Sequence, residues 1–434
     1  MKGYLYDSDR CMACTSCTVV CPVAAATREF LGPKMVGPAL SRFRRPALDP
    51  DLAADLCSNC KNCDISCPSG VPISTLNMLS KAEYYRHHRH RLRDWVLSHG
   101  QLMGNLATPF VPLSNLAIAN PISRTMLGAF GFAGRMPLPA YVRKTFRKQF
   151  RALRQQSFPQ KVVFFPGCYI DFYDPGVGLD FVAVMQANEY EVVVPRGLGC
   201  CGTPMVANGF PGAAERAVRR NVRALQEWTD AGVPVVACCT SCSLTLKQEQ
   251  QELFDVPGAA ELAARVYDAT EFLLELRDRG KLKTDLKQLS GRYLYHAPCH
   301  LRDQGIGRPG FEMLGSLPGL EISDADAGCC GLSGSYGFKG DRYEVAQAVG
   351  DALFKKVRAS GADAVISECG TCRHQITVAT GAKTLHPISV MRRAFECHSA
   401  APTNRNARRR IRRAFTLLAG NGYLSRSAAP ARAA

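Results

Sequence analysis

The chain has 434 residues, of which 46% are hydrophobic and 21% are charged, and its formal net charge is +17. This length and apolar content allow two to three domains with cores of their own, which excludes a disordered chain. The positive charge favours an acidic protein partner, an anionic membrane surface or nucleic acid, without choosing among them.

The twenty cysteines do not indicate disulfides. Disulfide-rich chains are usually small and secreted, whereas this chain is large. Its first ten residues include Asp7 and Asp9 and lack the apolar core of a signal peptide. The cysteine spacings are also typical of metal sites. We therefore expect a protein of the reducing cytoplasm.

Two similar cysteine runs lie near the start of the chain, CMACTSCTVVCP at residues 11–22 and CSNCKNCDISCP at residues 57–68. Both match the run of bacterial two-cluster ferredoxins, in which the fourth cysteine binds the cluster of the other run. The spacing predicts a mostly helical, ferredoxin-like domain over residues 1–80 with two cubane [4Fe-4S] clusters. The expected ligand sets are Cys11, Cys14, Cys17 and Cys67 for one cluster, and Cys57, Cys60, Cys63 and Cys21 for the other. Two unrelated zinc sites would have to reproduce this spacing twice.

Residues 81–160 are interpreted as a basic and apolar linker. No acidic residue occurs between positions 100 and 160, and no charged residue occurs between positions 101 and 123. Pro109, Pro112 and Pro121 interrupt this apolar stretch, so we do not expect a membrane-spanning helix there.

An amphipathic helix is predicted over residues 141–156. Four apolar side chains recur there at helical spacing, namely Val142, Phe146, Phe150 and Leu153. Six basic side chains lie opposite them, namely Arg143, Lys144, Arg147, Lys148, Arg151 and Arg154. Such a helix is typical of a membrane interface, but an apolar stripe is also typical of a helix that covers a protein core. Both interpretations stay open.

Beyond the linker, a five-cysteine pattern occurs twice. The first copy consists of Cys168, Cys200, Cys201, Cys239 and Cys242, and the second of Cys299, Cys329, Cys330, Cys369 and Cys372. Equivalent groups are 131, 129 and 130 positions apart (168 to 299, 200 to 329 and 239 to 369). So constant an offset indicates duplication of a whole structural unit. We place the two copies in residues 161–290 and 291–398.

Each copy alternates predicted strands with predicted helices. The strands are expected at residues 162–165, 192–194, 235–237, 293–295, 320–322 and 364–366, and helices at residues 213–228 and 344–357. This alternation predicts α/β units with parallel βαβ connections, whose ligands lie beyond the carboxyl ends of the strands. Every cysteine of the pattern follows such an end, so each copy should gather its five thiols at one rim. Five thiols favour an iron–sulfur cluster over zinc, which takes four ligands.

The duplicated pattern, with CCG at residues 200–202 and 329–331, resembles the CCG domain. This cysteine-rich domain is duplicated in the B subunit of heterodisulfide reductase, in glycolate oxidase iron–sulfur subunits and in the C subunit of anaerobic glycerol-3-phosphate dehydrogenases. Three further strings are most similar to the last group: LGPKMVGPALSRFRR at residues 31–45, LRDWVLSHGQLMG at residues 92–104 and TPFVP at residues 108–112.

The resemblance implies one or two further, non-cubane [4Fe-4S] clusters in the CCG copies and no flavin on this chain. It implies an electron-transfer role: flavin-containing partner subunits would oxidise glycerol 3-phosphate, and the electrons would pass through this chain to a membrane quinone. The chain would lie peripherally on the cytoplasmic face of the cell membrane.

Other functions stay open at this point. The chain could be the iron–sulfur subunit of a glycolate or lactate oxidase, or a catalytic subunit that cleaves a disulfide, as heterodisulfide reductases do. A nucleic-acid binder is a third hypothesis, but the arginines of the tail are not interleaved with aromatic side chains, so no nucleic acid is expected as a partner.

A few residues remain. His296 and His300 flank Cys299 and could pass protons to a quinone at the rim, or could be structural. Cys238 and Cys397 lie outside the patterns and are interpreted as ordinary buried residues. Residues 399–434 form a basic tail without acidic residues, which we expect to be solvated.

Overall fold

Short helices build the N-terminal region of the computed structural model, which describes residues 10–39 and 52–395. The helices are α1 (Ser16–Val19), α2 (Pro22–Ala26), α3 (Asn62–Ile65) and α4 (Ile73–His87), with a π-helical turn at Met35–Ala39 and a 3-10 turn at Leu52–Leu56. Thr15 and Lys61, directly before α1 and α3, adopt the same left-handed backbone conformation. The predicted tail at residues 399–434 and Cys397 lie outside the described residues.

Five short helices make up the linker. They are α5 (Leu92–Ser98), α6 (Gly100–Ala107), α7 (Val111–Ala119), α8 (Pro121–Ala129) and α9 (Phe146–Arg151), and a 3-10 turn at Thr108–Phe110 joins α6 to α7. Gly100–Ala119 is thus a continuous helical stretch of 20 residues with a mean hydropathy of 1.2, which by length and composition alone could cross a membrane. Pro109 and Pro112 stand in the first turns of their helices, where a missing N–H is tolerated. The prediction that Pro109 and Pro112 break the helix was wrong. Of the three prolines, only Pro121 lies beyond the end of this helical stretch.

The amphipathic helix predicted over residues 141–156 is much shorter than expected. Only α9 is helical, and the Thr145 side chain caps its N terminus. Phe146 is fully buried, and its ring packs edge-on against the ring of Phe164, with centroids 5.2 Å apart. Arg147 forms a 2.9 Å ion pair with Asp171. The helix therefore covers a protein core, and its interpretation as a membrane-interface helix was wrong.

The first α/β unit has four parallel strands in the order β2-β1-β3-β4. They are β1 (Gln160–Phe164), β2 (Tyr190–Val193), β3 (Val235–Ala237) and β4 (Val266–Asp268). Its helices are α10 (Gly167–Phe172), α11 (Pro175–Ala187), α12 (Thr203–Ala207), α13 (Pro211–Asp230), α14 (Thr240–Leu244), α15 (Gln250–Leu253), α16 (Ala259–Ala263) and α17 (Ala269–Asp278), with a π-helical turn at Thr245–Glu249. In the register, Val163 of β1 pairs with Val193 on one side and Val235 on the other.

The second unit repeats this topology, with the strand order β6-β5-β7-β8. Its strands are β5 (Gly291–Tyr295), β6 (Leu320–Asp324), β7 (Ala364–Ile366) and β8 (Thr384–Leu385). Its helices are α18 (Cys299–Arg302), α19 (Pro309–Gly315), α20 (Tyr343–Ala359), α21 (Gly370–Thr380) and α22 (Pro387–Ala394), with 3-10 turns at Tyr336–Phe338 and Gly340–Arg342. The predicted α/β class with parallel strands is confirmed. All six predicted strands are present, whereas β4 and β8 were not predicted.

The N-terminal region packs against both α/β units. Cys21 and Val23 share a buried cluster with Val163 of the first unit, while Cys60 packs with Cys299 and Cys329 of the second. The two units meet through α11 and α22. The cysteine runs are therefore held against the five-cysteine groups, which follow the carboxyl ends of the strands.

Candidate iron–sulfur sites and the cavity between them

Each α/β unit brings its five cysteines together as a chain of contacting thiols. The order of contacts in the first unit is Cys168, Cys200, Cys201, Cys242, Cys239. The equivalent order in the second unit is Cys299, Cys329, Cys330, Cys372, Cys369. The sulfurs of Cys330 and Cys372, for example, are 3.2 Å apart. The duplicated sequence pattern has therefore become a duplicated site.

The chemistry of these thiols suits a highly charged metal centre. Hydrogen bonds from neighbouring thiols, together with burial, raise the pKa of Cys200 and Cys242 well above the usual value. Packed thiols of this kind cannot all ionise next to one another in a buried site. A bound metal centre would supply the positive charge that drives the protons off, and an all-thiol donor set selects soft-ligand centres such as iron–sulfur clusters. The residues therefore fit the predicted clusters.

His296 belongs to the second of these sites. Its side chain is 2% exposed, and one of its ring nitrogens lies within 4.8 Å of the sulfurs of Cys330 and Cys372. Burial lowers the pKa of His296 to about 4, so the ring is neutral near neutral pH. It does not line the cavity described below, which speaks against its predicted role as a proton donor to a quinone. A neutral imidazole ring beside two sulfurs is instead suited to act as a metal ligand or as a hydrogen-bond donor within the site.

The two N-terminal runs form two further thiol sites in a crossed arrangement. The thiols that line one small cavity are those of Cys11, Cys14, Cys17 and Cys67. The other four are Cys21, Cys57, Cys60 and Cys63, of which Cys21 and Cys63 each lie within electrostatic range of Cys57 and Cys60. Each group combines three cysteines of one run with the fourth of the other. The assignment of a cluster to each group stays a prediction.

The backbone of both runs is shaped in a way that side-chain patterns could not predict. Ala13 and Asn59 have φ values of 58° and 57°, and Thr15 and Lys61 both have 66°. Non-glycine residues in this region are strained, and such strain is retained mainly at functional sites. Turns of this kind can direct successive backbone N–H groups into a concave, anion-binding surface. The repetition at equivalent positions of both runs therefore marks the loops as preformed around their thiols.

A buried ion pair joins the second run to the first α/β unit. Lys61 and Glu249 are 3% and 2% exposed and lie 3.0 Å apart. Glu249 also accepts hydrogen bonds from Asn59 and from Thr245, at 3.3 and 2.7 Å. Although burial alone would raise it, the Lys61 charge lowers the pKa of Glu249 to about 2. The partners are 188 residues apart, so no local pattern could have revealed them.

We expect Glu249→Gln to destabilise the protein by about 3–5 kcal/mol, because it leaves the Lys61 charge buried without its partner. The pKa of Glu249 in the folded protein lies below its usual value of 4.5. The ionised carboxylate therefore contributes fully to the free energy of unfolding above pH 4.5, and this contribution is lost as the pH falls towards 2. Urea unfolding at about pH 7 and about pH 3.5 should show a smaller difference between parent and variant at the lower pH. The exposed Glu261→Gln serves as the control. Equal effects of the two variants would contradict the prediction.

A cavity of about 200 Å³ lies between the α/β units. Thiols from both units line it, namely Cys168, Cys201, Cys239, Cys242 and Cys369. Much of the remaining wall is apolar and comes from the linker, from Leu97, Met103, Phe132, Leu138 and Pro139. The cavity therefore offers a lipophilic molecule a place beside the thiols of both sites.

His300 also lines this cavity, and both of its ring nitrogens have partners. Nε2 donates to the Asn59 carbonyl at 2.9 Å, and Nδ1 lies 2.8 Å from the Ser241 hydroxyl. His300 thus links the second run to the first α/β unit while it faces the cavity. Both interpretations made for it, as a structural histidine and as a proton donor, are compatible with this position.

Family models match the same regions. The model described as a cysteine-rich domain, CCG, matches residues 162–247 and 293–377. The model described as a 4Fe-4S dicluster domain matches residues 7–71. All eighteen predicted cluster ligands lie within these residues.

The chain is similar to several known proteins over most of its length. It is 36% identical to the C subunit of anaerobic glycerol-3-phosphate dehydrogenase from Escherichia coli strain K12, over 89% of this chain and 98% of that protein. It is 29% identical to the B subunit of fumarate reductase (CoM/CoB) from Methanothermobacter marburgensis, over 88% of this chain and 70% of that protein. The lactate utilization protein A of Bacillus licheniformis is 28% identical over 53% of this chain and 96% of its own length.

Proposed function

The chain belongs to the family of the C subunit of anaerobic glycerol-3-phosphate dehydrogenase, and from this premise we propose that it passes electrons from flavin-containing partner subunits to a membrane quinone. The partners would oxidise glycerol 3-phosphate, and the cysteine sites of this chain would receive the electrons. It would act as a peripheral protein on the cytoplasmic face of the cell membrane.

The contact between Cys60 and the second α/β unit carries this proposal. Cys60 of the second run packs directly with Cys299 and Cys329, and all three are buried. Iron–sulfur centres bound by these thiols would supply one-electron chemistry at neighbouring positions. At the other end, Cys14 is exposed. These observations support a series of sites that runs from a surface-accessible end to the cavity, the arrangement that an electron-transfer protein needs.

We propose two cubane [4Fe-4S] clusters, one at each of the crossed cysteine sets. We also propose one or two non-cubane [4Fe-4S] clusters at the five-thiol groups. Within the cavity, apolar side chains would hold a quinone ring beside His300, which lines the same wall.

The test is to compare Cys299→Ser with Cys238→Ser in reconstituted, chemically reduced protein. Both cysteines are buried, but Cys238 stands outside the five-thiol group. We expect Cys299→Ser to slow reduction of a short-chain quinone by about tenfold or more, because it removes a thiol at the contact with Cys60. Cys238→Ser should behave as the parent protein does. Equal rates for all three proteins would refute the proposed route.

Disulfide cleavage is a second candidate, because thiols of both units face one cavity. A relative named as part of a fumarate reductase (CoM/CoB) is similar over most of the chain. Offering the reduced protein a mixed thiol disulfide in place of the quinone separates the two candidates. Identifying the flavin subunits that purify with the chain would separate glycerol 3-phosphate from glycolate or lactate as the electron source.

A further inference from the structure

The linker exposes an unusual amount of apolar surface. Residues 100–130, which we call the apolar cap, comprise α6, the 3-10 turn, α7 and α8. Eight large hydrophobic side chains of the cap are between 42% and 73% exposed, namely Leu102, Leu106, Phe110, Leu113, Leu116, Ile122, Met126 and Phe130. They are eight of the eighteen such side chains exposed in the described residues. Clustering of this kind marks an interaction surface.

Helix α7 of the cap turns apolar side chains outward and a polar side chain inward. Leu113 and Leu116 of α7 point outward, whereas Asn115 faces the protein and exchanges hydrogen bonds of 2.9 and 2.8 Å with the backbone of Tyr141. In a soluble protein, helices normally turn their apolar side to the core. The cap therefore presents to its surroundings the face that such a helix would bury.

Both ends of the cap are fixed to the α/β units. Gly104 of α6 packs so closely on Phe172 that an added Cβ would lie 2.4 Å from its ring. After α8, the Gly131 carbonyl accepts hydrogen bonds of 2.8 Å from Gly340 and from Arg93. The segment that carries the exposed side chains is thus attached to the rest of the protein at both ends.

Charge favours a lipid surface as the occupant over a protein. No acidic residue occurs between positions 100 and 160, so nothing in this segment repels an anionic leaflet. The exposed Arg143 and Lys144 follow Tyr141, which is hydrogen-bonded to the cap. Basic side chains beside an exposed apolar face are the combination that binds interfacial helices to anionic membranes.

The cap cannot cross a membrane and return. Gly100–Ala119 is long enough to span, but α8 has only nine residues, a rise of about 13 Å, against a hydrocarbon core of about 30 Å. Beyond α8, Phe132 pairs with Lys339 of the second unit. Because the chain leaves the α/β units before the cap and returns to them after it, the cap can enter only one leaflet.

The cap is also continuous with the cavity. Gly100 and Met103 of α6 line it, together with Phe132 and Leu138 just beyond the cap. A Cβ added to Gly100 would lie 4.0 Å from the Cys168 sulfur. We propose that the apolar cap inserts into one leaflet of an anionic membrane and admits a lipid-soluble quinone directly from that leaflet to the cavity. The acceptor in this inference and the membrane location rest on the proposed function, whereas the placement of the contact at the cap is argued from its exposed side chains.

The test uses the full reconstituted chain carrying Leu106→Asn, Leu113→Asn and Leu116→Asn together. These side chains are 58–67% exposed and do not line the cavity. We expect flotation with vesicles of phosphatidylglycerol and phosphatidylcholine to fall by about tenfold or more, because the apolar contact is lost. Reduction of a long-chain quinone dissolved in the vesicles should fall equally. The rate with a water-soluble short-chain quinone should not change.

The control carries the same change at exposed leucines outside the cap, Leu31→Asn, Leu92→Asn and Leu153→Asn, and should float as the parent does. Flotation of the cap variant equal to that of the parent would overturn the inference. So would loss of binding to the flavin subunits with flotation retained, since the cap would then be a protein interface. A third outcome is that the parent floats, the cap variant does not float, and neither protein reduces any quinone. In that case the membrane contact is supported and the proposed acceptor is refuted.

Discussion

Replacing Cys21 with serine should remove the cluster of the second run and spare that of the first. Cys21 belongs to the first run by sequence, yet it is 7% exposed and lies within electrostatic range of Cys57 and Cys60. A serine hydroxyl is a poor ligand for iron, so anaerobic iron analysis should fall by about four irons per chain. EPR should retain the signal of the set that contains Cys11.

Cys67→Ser is the matched variant, because Cys67 is the fourth cysteine of the other run and lines the cavity with Cys11, Cys14 and Cys17. It should remove the complementary signal. If either variant instead abolishes the cluster built by the first three cysteines of its own run, the crossed assignment is wrong.

Gly331→Ala should unfold or strongly destabilise the second α/β unit. Gly331 has a φ of +87°, and an added Cβ would lie 1.9 Å from the backbone carbonyl oxygen of Ala346 in α20. A helix backbone cannot move aside as a flexible side chain can, so we expect a loss of about 4 kcal/mol or more in the free energy of unfolding. Urea unfolding under anaerobic conditions, followed by circular dichroism and visible absorption, measures this loss.

The duplication supplies the control, since Gly202 is the equivalent residue of the first unit. It has a φ of +106°, but the nearest atom to an added Cβ belongs to Ala214 and is 3.6 Å away. Gly202→Ala should therefore cost only the left-handed backbone strain, about 1–2 kcal/mol. Similar losses in the two variants would show that the contact with α20 is not the cause.

Features that depend on short-range pattern were predictable from the sequence. The strands β1, β3, β5 and β7 are short apolar runs, and the constant offset of the cysteines predicted the duplication. The edge strands β4 and β8 were missed, because three residues reading VYD and two reading TL carry too little pattern. These two strands form because the backbones of β3 and β7 pair with them in the folded protein, which a local sequence pattern does not reveal.

One error and one omission in the linker have a common physical cause. Periodicity shows that Phe146 and Phe150 share a face, but it does not show what that face meets. Phe146 meets Phe164 of β1 in the core. Helix α7 of the cap, in contrast, has little amphipathic pattern, and only the structure shows that Leu113 and Leu116 face outward. The buried pair of Lys61 and Glu249 is a third case, because its partners meet only after the chain has folded.

Dioxygen should reach the thiol sites in a fixed order. Cys14 is exposed and Cys11 and Cys67 are partly exposed, whereas Cys57, Cys60 and the pair of Cys329 and Cys330 are buried. Oxidative damage to iron–sulfur proteins begins where solvent touches the sulfur. Air would therefore first attack the site that contains Cys14, which under the proposed function is the end that receives electrons, and would leave the buried site of the second unit intact but disconnected. A partner protein seated over Cys14 would protect the chain from air at the same place where it delivers electrons.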